Sequence, residues 1–184
     1  MGKLTAMETV TVIKEILGLL GIIAAMLAFQ CKRHDRVLAY RTANELLFGV
    51  QYILLGAWTG MAMNVVGSIR NIIFAEEVKR GKSTRLTALI FCLFFTVAGI
   101  VTWEGPKSIL IISAKVISSL AYGNKNLLVV RLLVLLTCSA WLTYNVFVAS
   151  YAGVACEVLT ISSIIIALFR YHIPWRRKGK ESEN

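Results

Sequence analysis

Apolar residues run along this chain in blocks of about 17–22, the length that crosses a hydrocarbon core of roughly 30 Å as a helix. The blocks predict helices at roughly 10–30, 37–57, 60–76, 86–102, 107–122, 127–148 and 152–171. The breaks carry turn and charge punctuation: "CKRHDR", Gly56 to Gly60, "EEVKRGKSTR", "WEGPK" with Gly105 and Pro106, "GNKN" and "SYAG". Two polar residues interrupt the pattern. Lys115 sits inside the fifth block, and Glu157 lies about two turns into the seventh, "YAGVACEVLTISSIIIALFRY". A charge at the middle of a membrane helix costs roughly 2.5–3.5 kcal/mol on insertion scales, so each needs a reason.

Composition agrees with the pattern. Of the 184 residues, 57% are hydrophobic, and the mean hydropathy is +0.70. The chain reads as an all-α membrane protein with seven transmembrane helices and no soluble domain. The first apolar block lacks a compact basic leader and an A-x-A site, and is expected to be a retained span. The net charge of +10 comes mostly from short basic segments beside the spans, which suit anionic lipid headgroups better than nucleic acid.

Lys and Arg also give a sidedness. One face collects Lys32, Arg33, Arg36, Lys79, Arg80, Lys82, Arg85, Lys125, Arg170, Arg176, Arg177, Lys178 and Lys180, and the loops of the other hold only Lys3 and Lys107. The positive-inside rule makes the first face cytoplasmic, with the amino terminus outside and the carboxyl terminus inside a bacterial inner membrane.

Sliding the sequence by 93 residues reveals an internal repeat. "KEIL" (14–17) meets "KSIL" (107–110), "LAFQCK" (27–32) meets "LAYGNK" (120–125), and "WTGMAMNVV" (58–66) meets "YAGVACEVL" (151–159). About a dozen identities fall in this gapless register, which maps spans one to three onto spans five to seven. The uncharged fourth span, "LTALIFCLFFTVAGIVTW", is left over as an inverting linker, so the two triples share one orientation. The expected architecture is 3+1+3, with two parallel triple-helix bundles. It divides the chain into 10–76, a cytoplasmic loop and linker helix at 77–103, 104–171, and a basic tail at 172–184.

On "LGAWTGMAMNVVGSIRN" (55–71) and the Tyr151–Tyr171 stretch, nearly the whole chain resembles the YgjV-type family of bacterial inner-membrane proteins. Its three-plus-one-plus-three plan resembles the SWEET sugar facilitators and their PQ-loop relatives. That resemblance implies a pocket lined by an aromatic on the second helix of each triple and an asparagine sixteen residues later. Phe48 and Asn64 have this spacing, as do Trp141 and Glu157, with glutamate in place of asparagine. The Pro-Gln hinge pair of those proteins is replaced by Phe29-Gln30 and Tyr122-Gly123.

Helical spacing puts Asn44, Phe48, Gln51 and Leu55 on one face of the second span, and their repeat mates are Thr137, Trp141, Tyr144 and Val148. Such faces suit either a wet pocket for a polar solute or hydrogen-bonded contacts between helices. Glu157 has three readings: a structural pair with Lys115, a neutral protonated carboxyl, or a group that binds a cationic solute or relays a proton. Arg41 and Glu45, four apart, are expected to pair locally. Together with Arg70 and Arg131 they read as snorkelling charges or as a gate at the cytoplasmic end, which Asn71 could join. Lys14 and Glu15 would play that part at the other end.

Enzymatic chemistry finds no support. There is no G-x-S-x-G, no H-E-x-x-H and no paired aspartates, and Ser68, Ser113, Ser118 and Ser119 have no histidine partner. Cys31, Cys92, Cys138 and Cys156 lack metal-type spacing, and neither His34 nor His172 has a ligand neighbour, so no metal or cofactor is expected. The expected function is transport of a small, sugar-like or otherwise polar solute. Phe48, Asn64, Trp141 and Glu157 form its central site, lined by Gln51, Asn44, Tyr144 and Asn145. The alternative is a non-transporting membrane scaffold or ligand-sensing protein of the same fold. Partners are the lipid bilayer, the solute and a possible second copy, for which Gly18, Gly21 and Gly67 permit close helix approach.

Overall fold

Helix-breaking residues set the frame of the computed structural model, which describes residues 2–31, 33–124 and 126–172. Most of the expected basic tail lies outside these residues. Seven helices and no strand occur among them: α1 (Gly2–Gln30), α2 (His34–Leu54), α3 (Trp58–Lys79), α4 (Arg85–Val101), α5 (Lys107–Tyr122), α6 (Leu127–Phe147) and α7 (Tyr151–His172). Gly56, Gly81 and Gly105 take positive φ in the breaks after α2, α3 and α4. The Asn126 side chain caps α6 by accepting from the Leu128 N–H at 2.9 Å. Several helices begin earlier or end later than the apolar blocks. α2 starts at His34 with Asp35 favourably placed in its first turn, and α3 runs on through Glu76, whose carboxylate meets Arg80 at 2.7 Å.

Polarity is inverted relative to a protein built for water. Arg70 is completely buried, Glu45 and Lys115 are 2% exposed, and Asn44, Gln51, Asn64, Asn71 and Asn145 are buried with them. Outside lie Leu19 and Ile23 on α1, Leu46 and Val50 on α2, Ile69 and Ile72 on α3, Leu89 and Leu93 on α4, Leu132 and Leu136 on α6, and Ile166 on α7. So much exposed apolar surface would associate in water and is stable in lipid. Two helices among the described residues are long and apolar enough to span a membrane by themselves, over Glu8–Ala28 and Leu128–Phe147. In α2, α3 and α5 the mid-helix charges that lower hydropathy, Glu45, Arg70 and Lys115, are buried.

The helix contacts close a circuit. α2 packs between α1 and α3, α6 packs between α5 and α7, α1 meets α7, and α3 meets α5. α4 lies against α3 and α5. α1 and α7 approach closely because Gly18 faces Ala152, whose Cβ a side chain at 18 would overlap.

The turns repeat bond for bond at the 93-residue offset. After α2, Ala57 N–H donates to Tyr52 O at 2.9 Å and Gly56 N–H to Ile53 O at 3.1 Å; after α6, Ser150 N–H donates to Asn145 O at 2.9 Å and Ala149 N–H to Val146 O at 3.2 Å. At the other end, Cys31 N–H to Ala28 O and Val37 N–H to Arg33 O match Asn124 N–H to Ala121 O and Val130 N–H to Asn126 O. Gly56 (φ 68°) thus corresponds to Ala149 (φ 53°), the one positive-φ residue other than glycine among the described residues.

That correspondence yields a stability prediction. Alanine in the left-handed region is strained, so Ala149→Gly should stabilise the protein by about 0.5–1 kcal/mol net of glycine's greater unfolded-state freedom. Gly56→Ala, at a site where an added Cβ meets no atom within 4 Å, should cost about 1 kcal/mol through conformation alone. Melting temperatures of the two variants in detergent, moving in opposite directions, check the equivalence of the turns.

Candidate functional site

The site lies where α2 and α6 face each other across the circuit. Towards the end carrying the α2–α3 and α6–α7 turns, hydrogen bonds form a belt. Tyr52 O–H donates to Asn145 Oδ1 at 2.5 Å, and these two are repeat mates, so the contact sits on the axis relating the halves. Tyr144 Oη accepts from Gly60 N–H at 3.0 Å, at the start of α3. Its mate Gln51 accepts from Ser150 Oγ at 3.1 Å, and Ser150 Oγ in turn accepts from Gly153 N–H at the start of α7. α6 therefore ties the start of α3, and α2 ties the start of α7. Tyr52 also stacks on Trp141 with centroids 6.2 Å apart. Glu104 accepts from Trp58 N–H at 3.0 Å and caps α3.

Towards the basic end lies an ion cluster. Glu45 Oε1 on α2 takes Lys115 Nζ of α5 at 2.8 Å and Arg70 Nη2 of α3 at 3.4 Å. Arg70 also donates to Ser118 and Ser119, both at 3.0 Å, and to Asn71 Oδ1 at 2.9 Å. Its guanidinium lies 5.3 Å from the Phe95 ring centroid and 5.1 Å from that of Tyr122. Gly67 makes the crossing possible. A Cβ there would overlap Glu45 Oε2 and stand 2.7 Å from Lys115 Nζ.

Between belt and cluster is a polar cavity. It offers about 30 Å³ to the centres of water molecules, room for about two waters at the ~10–15 Å³ each requires. Asn44, Phe48, Asn64, Trp141, Asn145 and Glu157 line it, with Arg41 and Lys115. Six of the eight substrate positions expected from sequence therefore share one cavity. The other two, Gln51 and Tyr144, belong to the belt. Asn44 is partly engaged, donating to Gly21 O at 2.9 Å. The Asn64 amide has no hydrogen-bond partner among the described residues.

Two expected pairings and one expected orientation are corrected. Glu157 does not pair with Lys115, which reaches Glu45 instead; α5 packs on α3 and α6, and Gly67 opens the way to α2. Arg41 and Glu45 form no ion pair among the described residues, because Glu45 is directed towards α3 and α5 and Arg41 lines the cavity. Arg70 does not snorkel: it is wholly buried in the serine and asparagine cradle. Arg131, half-buried on α6, is not among the cavity's lining residues. At the opposite end Lys14 contributes its backbone carbonyl, to Gln51 at 3.0 Å, and Glu15 is exposed.

Sequence reasoning missed Tyr52, Gly153 and the cradle role of Ser118 and Ser119. Tyr52 lies one turn beyond Phe48 on the same face and is the repeat mate of Asn145, a signal that was available. The serines follow Lys115 by one turn, but nothing in the sequence tied them to Arg70.

With this geometry in place, comparison with known proteins places the chain. Residues 12–173 match the family described as bacterial inner membrane protein, Imp-YgjV, and the chain belongs to that family. No curated protein and no solved structure matches it.

The cluster predicts a large, sign-specific effect. Glu45→Gln leaves Lys115 and Arg70 buried without a carboxylate and should cost about 3–5 kcal/mol. Adding Lys115→Met should recover part of the loss in thermal melts; a loss below about 1 kcal/mol for the single variant would mean the cluster is hydrated. A separate pH effect comes from the basic end. Burial lowers the pKa of His34, whose Nε2 has no hydrogen-bond partner among the described residues. The unfolded chain then takes up this proton first, so stability should fall as pH drops through about 6.5. His34→Gln should remove that component from the pH dependence of the melting temperature.

Proposed function

We propose that this inner-membrane protein moves a small polar solute by alternating access between two triple-helix halves, α1–α3 and α5–α7, joined by α4. All seven helices would span the bilayer, with the basic loops in the cytoplasm and the amino terminus outside. The observation that carries the reading is a polar cavity lined by residues of both α1–α3 and α5–α7, with a set of contacts between helices on either side of it. On the outer side the set is the belt of neutral hydrogen bonds, and on the cytoplasmic side it is the Glu45–Lys115–Arg70 cluster. Bond-for-bond repetition of the turns supports two halves that rock as units, the plan to which the resemblance to SWEET and PQ-loop carriers also points.

Room for about two waters is too little for a sugar ring, so this conformation would be a contracted one, with Phe48 and Trp141 parting to admit the body of a solute. Asn64, with its free amide, would hydrogen-bond it. The same small volume favours the scaffold alternative if the cavity never enlarges, so the test must detect opening and need no known substrate.

With the native cysteines replaced, Asn64→Cys should react with a membrane-impermeant thiol reagent from the periplasmic side and, in inverted vesicles, from the cytoplasmic side. Reaction from neither side, with Leu132→Cys in lipid as the unreactive control and a loop cysteine as the reactive one, would refute alternating access and leave the scaffold reading. A panel of sugars, amino acids and organic ions should include a ligand that raises the melting temperature of the native chain and not of Asn64→Ala.

A further inference from the structure

We infer that the solute taken by the central cavity carries a single negative charge, as a carboxylate or an equally small monoanion. This rests on the reading of the cavity as a solute site. Five ionisable side chains form one connected set: Glu45 is ion-paired with Lys115 and Arg70, and Lys115 lines the cavity together with Arg41 and Glu157. Three are cations and two are carboxylates, so the set carries one positive charge in excess. Glu45 is spent on Lys115 and Arg70. Arg70 is directed away into its cradle and does not line the cavity. The charged groups lining the cavity are Arg41, Lys115 and Glu157; Lys115 shares the single Glu45 carboxylate with Arg70, so the excess positive charge of the set reaches the cavity at its Lys115 edge.

Among the described residues, the only buried group without a hydrogen-bond partner that belongs to a cavity-lining residue is a donor, Arg41 Nε; Glu45 Oε2, an acceptor of the neighbouring cluster, is unpaired as well. The Asn64 amide and the Trp141 indole belong to the same lining. A buried uncompensated charge is unfavourable. A bound monoanion brings the set to neutrality, a neutral solute leaves the excess, and a cation doubles it. Protonation of Glu157 would only enlarge the excess. The space also suits the head of such a ligand: the two oxygens of a carboxylate replace about two waters and accept from several donors at once. Of the readings open to Glu157, cation binding then gives way to that of a group limiting the positive charge.

The purified protein would be melted in a chloride-free buffer of a bulky sulfonate while formate, acetate, lactate, chloride, tetramethylammonium or glucose is added, each variant against its own baseline. Formate or acetate should raise the melting temperature saturably. Arg41→Gln should weaken the apparent Kd about tenfold or more, and Arg41→Lys, which keeps the charge, should weaken it less. Glu157→Gln should tighten it. Opposite responses to losing a cation and losing an acid are not expected of residues that merely support the fold. Lactate acting with formate identifies an organic carboxylate as the source; chloride acting alone identifies an inorganic anion. No shift with any monoanion, a shift with tetramethylammonium or glucose alone, or weaker anion binding in Glu157→Gln overturns the inference. Anion binding in a protein whose Asn64→Cys is sealed from both sides would refute transport and leave this inference standing; labelling from both sides without an anion shift would do the reverse.

Discussion

One carboxylate oxygen, Glu45 Oε1, holds two buried cations from two other helices, and the packing of α2, α3 and α5 depends on it. In an apolar surrounding neither Lys115 nor Arg70 could be left alone, since an unpaired buried ion is penalised by several kcal/mol. The constraint reaches into covalent structure. Gly67 lacks the side chain that would overlap Glu45 Oε2, so the ion pair and the close approach of the helices are one requirement. Arg70 needs more than Glu45 because its fork has more donors than one carboxylate oxygen satisfies, and Asn71, Ser118 and Ser119 accept the remainder.

Backbone and charge follow different symmetries. The turns, the belt and the Tyr52–Asn145 contact respect the 93-residue repeat. The ion cluster does not: the repeat mates of Arg41, Glu45 and Arg70 are Val134, Cys138 and Ser163, and Lys115 corresponds to Ile22. The turns are doubled while the charge is built once, from α2, α3 and α5. Any motion of the halves against each other must therefore strain the Glu45–Lys115 bond, which crosses between them.

This division explains what could be read from the chain alone. Helix number and breaks were legible because lipid requires continuous apolar blocks and the turns require glycine or polar punctuation. The cavity lining was largely legible because polar side chains that avoid lipid must face inward, and helical periodicity placed Asn44, Phe48 and their repeat mates on inward faces. Pairing within the interior was not legible. Sequence position says that Lys115 and Glu157 lie at similar depth in the same half, but the choice between Glu45 and Glu157 depends on which helices touch. Gly67 decides it, and its effect appears only when α5 is set against α3.

The two ends of the cavity are unequal in a way that bears on how they would open. Neutral hydrogen bonds between membrane helices contribute about 0.6–2 kcal/mol each, so the Tyr52–Asn145 and Tyr144–Gly60 contacts can part at modest cost. Separating Lys115 from Glu45 without a replacement costs about 3–5 kcal/mol. The ionic end stays shut unless something takes the place of the Glu45 oxygen at Lys115. Arg41 and Lys115 line one cavity, so the anionic solute proposed for it would be able to supply that replacement from the cavity side. Under the proposed function, binding would then lower the barrier at the basic end and leave the neutral belt largely unaffected, so the charge balance proposed to select the solute would also link its arrival to opening at that end.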